Sequence, residues 1–142
     1  MSRSTSRLLA GAIVPLAAGF ALAAGAPASA KPATPLPRLL SCGGTRLLRP
    51  TGVVVLSCAD ANSEIKGTRW RSWGRSEAVG TTDFGINLCT PTCVASRIRF
   101  FPASTVRLRD VQTTSGGPLF GRAEITYTLN GVRRTFTAYP AT

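Results

Sequence analysis

The strongest constraint on the fold is a strict alternation of apolar and polar residues near the end of the chain. Between residues 122 and 129 every second residue is apolar or aromatic, and these residues are Ala123, Ile125, Tyr127 and Leu129. Such alternation is typical of a β-strand with one buried and one solvated face. The Asn-Gly dipeptide at 130–131 predicts a two-residue hairpin turn, because both positions of that turn need a positive φ.

The register of this predicted hairpin agrees with its hydrophobic pattern. Leu129 then pairs with Val132, and Ile125 pairs with Phe136, so both pairs are apolar and lie on the same face. The preceding segment, 105–111, alternates in the same way and is joined to the hairpin by a Ser-Gly-Gly-Pro turn. The sequence therefore predicts a three-stranded antiparallel meander in this part of the chain.

Further strands are predicted upstream, at residues 53–56, 68–73 and 98–101, which are rich in β-branched and aromatic residues. No window after residue 31 shows a sustained helical period. Asp60 is a possible N-cap, which predicts at most a single helical turn over 60–66. We therefore predict an all-β fold, a small single-domain sandwich or barrel of about six to eight short antiparallel strands.

The start of the chain has the layout of a secretory signal peptide over residues 1–30. Arg3 and Arg7 precede an uncharged apolar run from 8 to 26, and Ala28-Ser29-Ala30 offers the small residues that a signal peptidase reads. A retained membrane anchor is the alternative, since the run is long enough to span a bilayer. We expect cleavage after Ala30, secretion, and no stable membrane span afterwards.

The remainder of the chain is predicted to have two parts. Residues 31–38 contain three prolines, which exclude a regular helix or a central strand and indicate a flexible Pro-rich linker. Residues 39–142 are predicted to form one β domain, the expected number at this length.

Four cysteines lie in the predicted domain, and they are Cys42, Cys58, Cys89 and Cys93. An exported chain meets an oxidising environment, so an even number of cysteines implies disulfides. Of the three possible connectivities we favour Cys42–Cys58 with Cys89–Cys93, because each pair is nearest in sequence. A four-cysteine zinc site is the rival, but zinc knuckles favour two residues between cysteines, and these pairs enclose fifteen and three.

The absence of histidine from the chain removes several kinds of catalytic site. Ser-His-Asp and Cys-His nucleophile pairs are excluded, as are His-dependent metalloproteases, and oxidised cysteines leave no thiolate nucleophile. Residues 60–64 place oxygen ligands at alternate positions but lack the glycine and final glutamate of a calcium loop. We therefore expect neither metal nor cofactor.

Carboxylates are the remaining catalytic candidates, and a glycosidase needs only two of them. The chain has six, which are Asp60, Glu64, Glu77, Asp83, Asp110 and Glu124. No short motif marks a pair, and among so many arginines we expect most of the six to form salt bridges. We therefore predict that the protein is not an enzyme.

Arginine and tryptophan are interleaved in residues 69–75, Arg-Trp-Arg-Ser-Trp-Gly-Arg. This combination can bind polyanions through charge and stacking. Trp70 and Trp73 are three residues apart, so on a straight strand they point to opposite faces. We expect Trp70 in the core and retain Trp73 as a candidate ligand platform.

The excess positive charge extends beyond this segment. The chain has 17 Lys and Arg against 6 Asp and Glu, a net charge of +11, which supports weak and salt-sensitive association with anionic surfaces. Arg107 and Arg109 share the solvated face of one predicted strand. The predicted polyanion-binding residues are Arg69, Arg71, Trp73, Arg75, Arg107 and Arg109.

Several short motifs also occur in order along the chain. After Cys42 come a C-x-D-x-N turn at 58–62, a W-x-x-W-G segment at 70–74, Ala-Val-Gly at 78–80 and a C-x-P-x-C loop at 89–93. In these motifs and its export signal the chain resembles an uncharacterised family of small secreted actinobacterial proteins. The resemblance covers about half of the predicted mature chain and implies secretion, but it brings no activity with it.

Three functions are compatible with these features. The first is a secreted, non-catalytic domain that associates with anionic cell-envelope or extracellular polymers. The second is a secreted protease inhibitor that presents the Thr90-Pro91-Thr92 loop, and the third is a carboxylate-dependent hydrolase. We expect a monomer without a specific nucleic-acid partner; the specific ligand is not predicted.

Overall fold

The computed structural model describes residues 33–140, so the predicted signal peptide and the first two residues of the predicted linker lie outside the described residues. The strands are β1 (Leu39–Leu40), β2 (Arg46–Leu47), β3 (Val54–Val55), β4 (Ser63–Trp73), β5 (Ala78–Asn87), β6 (Ile98–Thr114), β7 (Gly117–Leu129) and β8 (Val132–Ala138). Residues 33–140 contain no helix, and so no segment of that range forms an apolar helix of membrane-spanning length. The all-β prediction is confirmed.

The main sheet contains six antiparallel strands in the order β3-β4-β5-β6-β7-β8, and it curls into a half-barrel. Each strand pairs with its neighbours in sequence, so the sheet is one continuous meander. A second, two-stranded sheet pairs β1 with β2. In the described part of the chain β3 and β8 are the edges of the main sheet, and the half-barrel does not close between them.

The core lies on the concave face of the half-barrel. Fully buried side chains from four strands meet there, among them Ile65, Phe84, Val106 and Ile125. The segment that precedes β3 covers them: Leu39 belongs to the same cluster and Leu47 packs against it, while Val54 and Leu56 extend the cluster at the edge of the sheet. Burying this apolar surface is the main stabilising contribution to such a small domain.

The predicted hairpin is confirmed in its register. Leu129 pairs with Val132 and Ile125 with Phe136, and the turn residues Asn130 and Gly131 have φ values of 51° and 76°. These two positive values are those that the two-residue turn requires.

Residues 36–38 correct the prediction of a flexible linker that ends at Arg38. Pro37 is buried, and its carbonyl accepts a hydrogen bond of 2.9 Å from the Trp73 indole. Arg38 pairs in parallel with Leu119 through backbone bonds to Pro118 and Phe120. Proline is compatible with this burial because it has no N–H group that needs a partner. The folded domain therefore begins before Leu39.

Two strand predictions were incomplete. Residues 98–101 and 105–111 belong to the single strand β6, which is kinked where Ala103 adopts a φ of 54°. Strand β5 was not predicted, because Gly80, Asp83 and Gly85 weaken its pattern. Gly80 is required there, since a Cβ at this position would lie 2.8 Å from the Arg69 carbonyl oxygen.

The predicted helical turn over 60–66 is wrong, because β4 begins at Ser63. Asp60 does cap a local turn, but it does so as an Asx turn, in which its carboxylate accepts the backbone N–H of Asn62 at 3.1 Å. From Ser63 onwards the chain pairs with β5 as a strand instead of forming a helix.

Both predicted disulfides are confirmed, with Cα–Cα distances of 5.2 Å for Cys42–Cys58 and 3.8 Å for Cys89–Cys93. The first joins the segment after β1 to the turn before β4. The second closes a short loop between β5 and β6.

Candidate polyanion-binding site

Three of the six predicted polyanion-binding residues share the convex, solvated face of the main sheet. They are Arg69 on β4 and Arg107 and Arg109 on β6; the residues that precede them, Thr68, Val106 and Leu108, are buried. Arg71 and Arg75 are exposed near the end of β4 and in the turn that follows it. The structure therefore brings together residues that are far apart in sequence, as the alternation on β6 indicated.

Trp73 is not on this surface, and its assignment as a ligand platform is wrong. Its side chain is only 7% exposed, and its ring packs edge-to-face against Trp70 and Phe120 at centroid distances of 4.7 and 5.4 Å. The physical reason is a β-bulge between Trp70 and Ser72, which adds one residue to the strand. The bulge turns both tryptophans to the concave face, contrary to the expectation for a straight strand.

Arg107 and Arg109 face carboxylates on the convex face. Arg107 Nε lies 3.5 Å from Glu77 Oε2, and Arg109 Nη2 lies 3.2 Å from Glu124 Oε2. Such exposed pairs contribute little to stability. The carboxylate of each pair nevertheless places a negative charge beside its arginine, and this charge lowers the attraction of Arg107 and Arg109 for an external anion.

Arg122 completes this network of ion pairs. Its Nε lies 2.8 Å from Asp110 Oδ2 and 3.5 Å from Glu124 Oε1. Asp110 adopts a φ of 57°, and its carboxylate reaches an arginine whose side chain lies on the convex face. The part of the face around Arg107, Arg109 and Arg122 is therefore close to electrically balanced.

A line of threonines crosses the convex face next to this network. Backbone pairing places Thr81 opposite Thr105, Thr105 opposite Thr126, and Thr126 opposite Thr135. We call these four residues the threonine row. Since neighbouring strands are about 4.8 Å apart, the row is about 14 Å long.

The surface along the threonine row is indented. One depression of about 390 Å³ is lined by Thr105, Thr126 and Thr135. A second, of about 340 Å³, shares Thr105 and Thr126 with it, and a third, of about 200 Å³, contains Thr81. Ala103 lines both the second and the third. The depressions thus adjoin one another and form a shallow trough across the strands.

Each end of this trough carries an arginine. Arg69 is opposite Thr81 and lines the third depression, whereas Arg133 lines the first and second. Among the described residues neither arginine forms an ion pair, in contrast to Arg107 and Arg109. Asp83 also lines the third depression and Glu124 the first, but neither forms an ion pair with Arg69 or Arg133. The trough therefore combines a line of hydroxyl groups with one arginine outside any ion pair at each end.

The threonine row and Arg133 were not among the predicted site residues. The predicted hairpin register already placed Thr126 opposite Thr135, so two of the four residues of the row could be paired from the sequence. Thr81 was not, because it lies on the strand that the sequence did not predict.

The loop of the predicted protease inhibitor is held by Asn87. Its side chain donates to the Cys93 carbonyl at 2.8 Å and accepts the Cys89 N–H at 2.8 Å, and it also bonds Ser96. Thr90, Pro91 and Thr92 are exposed, and Val94 is 99% exposed. The loop is thus rigid and accessible.

The hydrolase hypothesis requires two carboxylates that face one cleft. Asp110 and Glu124 are brought together, but Arg122 lies between them and contacts both. Each of the three depressions along the threonine row, and a fourth cavity beside Asp60, is lined by at most one carboxylate. These cavities therefore lend the hydrolase hypothesis no support.

Comparison with known proteins leaves the chain without a match. No family model fits the sequence, and neither a curated protein nor a solved structure is significantly similar to it. The resemblance to small secreted actinobacterial proteins therefore stays a prediction.

Proposed function

We propose that the protein is secreted and binds an anionic polymer of the cell envelope or the extracellular space through its convex face, without catalysing a reaction. The observation that carries this proposal is the pair of unpaired arginines, Arg69 and Arg133, at the two ends of the trough. A guanidinium group binds carboxylate, sulfate or phosphate through parallel hydrogen bonds, and here both groups lie on one open surface.

The overall charge supports the same function. Only 6 acidic residues accompany 17 basic ones, and among the described residues only Arg107, Arg109 and Arg122 form ion pairs. Long-range attraction brings a polyanion to such a protein, and contacts to unpaired arginines then displace the counterions of the polymer. Binding by this mechanism weakens steeply as salt is added.

Two features support secretion. Both pairs of cysteines form disulfides, which are typical of oxidising compartments outside the cytosol. The signal peptide predicted over residues 1–30 would direct the chain to such a compartment.

The test compares heparin binding by two double variants that lose the same charge. In Arg69→Gln/Arg133→Gln the arginines at the ends of the trough are neutralised, and in Arg49→Gln/Arg97→Gln two exposed arginines outside the convex face are neutralised. We expect the first variant to bind more weakly and to lower the slope of log K against log salt by about one per arginine. The second should change the slope less.

Two results would contradict the proposal. If the wild-type protein with intact disulfides does not bind heparin at low salt, polyanion binding is wrong. If the two double variants lose the same affinity, net charge and not the convex face governs binding.

A second candidate function is protease inhibition by the loop between Cys89 and Cys93. It is favoured by the bracing of this exposed loop through Asn87, since a rigid loop loses little entropy on binding. The protein at micromolar concentration should then slow a trypsin-like or subtilisin-like protease, and Asn87→Ala should weaken the inhibition. No slowing of either class of protease would exclude this function.

A further inference from the structure

The threonine row differs from the other threonines of the sheet in its hydrogen bonding. On the concave side, the hydroxyls of Thr68 and Thr82 bond each other at 2.9 Å, and Thr82 also donates to the Lys66 carbonyl. Within the described residues, none of the four hydroxyls of the threonine row bonds to another protein group. These hydroxyls are therefore available to a ligand.

From this availability we infer that the threonine row binds a linear anionic glycan that lies in the trough, across the strands. The inference rests on the proposed polyanion binding and names the class of polymer. A threonine hydroxyl both donates and accepts hydrogen bonds, as a sugar hydroxyl does, and its methyl group contacts the C–H groups of a sugar ring. Arg69 and Arg133 supply the contacts to acidic groups of the glycan.

The trough is less suited to other polyanions. Proteins that bind single-stranded nucleic acid stack its bases on aromatic side chains. The threonine row contains no aromatic residue. Of the two aromatic residues that line the second depression, Phe101 is buried and Tyr127 packs against Phe84 and Phe101. Trp73 is buried, and the ring of Phe100 lies beneath the Lys66 ammonium at 3.4 Å. Polyphosphate carries charge but offers no hydroxyl groups to the row.

The spacing of the row also suits a glycan. Strands that are about 4.8 Å apart present one hydroxyl each, a period close to that of the sugar units in an extended chain. The row crosses four strands of a hydrogen-bonded sheet, so its hydroxyls are held in place before the ligand arrives. Such preorganisation lowers the entropic cost of binding.

The test removes hydroxyl groups without changing charge. Thr105→Val/Thr126→Val keeps the shape and the strand propensity of both side chains, and Thr51→Val/Thr113→Val is the matched control at exposed positions outside the row. Binding is measured at equal ionic strength to polygalacturonate, heparin and inorganic polyphosphate. Thermal unfolding of each variant establishes that it is folded.

We expect Thr105→Val/Thr126→Val to weaken binding of at least one of the two glycans about tenfold, since it removes two ligand hydrogen bonds. Binding of polyphosphate should change less than twofold, and the control variant should behave as the wild type. If the variant leaves both glycans unaffected, or weakens polyphosphate equally, glycan recognition by the row is wrong, although polyanion binding stands. If none of the three polymers binds the wild type, the proposed function itself fails.

Discussion

The two faces of the main sheet are built from the same strands but carry different kinds of side chain. The concave face carries large apolar side chains such as Phe84 and Ile125, which are fully buried beneath the segment before β3. The convex face carries threonine and arginine and has no covering segment in the described part of the chain. Alternation with a period of two thus separates, within each strand, the buried side chains that stabilise the fold from the exposed ones that we propose bind the polyanion.

This separation implies that substitutions on the two faces have different consequences. Changes on the concave face should alter the free energy of unfolding, because they remove packed apolar atoms. Changes on the convex face should alter the affinity for the proposed polyanion, because side chains on this face are exposed and can contact a ligand.

The largest effect is expected at Trp73. Trp73→Ala removes a buried ring and a hydrogen bond to Pro37, and should lower the free energy of unfolding by about 3–5 kcal/mol. Its control is Arg71→Ala, an exposed change two residues earlier, which should cost about 0.5 kcal/mol or less. Urea denaturation measures both values. Equal costs would mean that the bulge does not direct Trp73 into the core.

A somewhat smaller effect is expected for the disulfide that holds the cover of the concave face. Replacing Cys42 and Cys58 by serine should cost about 3 kcal/mol on the loop-entropy estimate. The same change at Cys89 and Cys93 should cost about 2 kcal/mol, because the closed loop is much shorter. Thermal unfolding under non-reducing conditions compares the two variants, and a larger loss at the short loop would contradict this ranking.

The smallest effect on stability is expected on the convex face. Thr105→Val/Thr126→Val should change the free energy of unfolding by about 0.5 kcal/mol or less, because valine preserves strand propensity and no protein hydrogen bond is lost. The comparison partner on the concave face is Thr68→Val, which leaves the buried Thr82 hydroxyl without its Thr68 partner and should cost about 1 kcal/mol or more. Denaturation curves measure both losses. A larger loss of unfolding free energy in Thr105→Val/Thr126→Val than in Thr68→Val would contradict the different roles of the two faces in stability.

The sequence predicted those parts of the fold that depend on local pattern. Alternation and the Asn-Gly turn were sufficient for β7, β8 and their register, and nearest spacing was sufficient for both disulfides. Strand β5 was missed, because its glycines are explained only by the neighbours that they accommodate. Gly80, for example, makes room for Trp70 and for the Arg69 carbonyl.

The candidate site was harder to predict from the sequence, because it also depends on which residues become neighbours in the folded sheet. Arg69, Arg107 and Arg109 were chosen for their charge, but charge alone does not reveal which arginines face carboxylates. Trp73 was misplaced, because one extra residue in a bulge reverses the face on which later side chains lie. The threonine row depends on the alignment of four strands, which is a property of the sheet and not of any single segment.

The docking of residues 36–38 has a consequence for the order of folding. Arg38 pairs with Leu119, and nearby Arg46 donates to the Gly117 carbonyl at 2.7 Å over a separation of 71 residues. Closing so long a loop costs conformational entropy. The contacts that offset this cost can form only when the start of β7, which they join, is already structured. We expect the amide of Phe120, which bonds Arg38, to become protected from hydrogen exchange later than those of the β7–β8 hairpin. The first residues of the domain to leave the ribosome would then be among the last to fold.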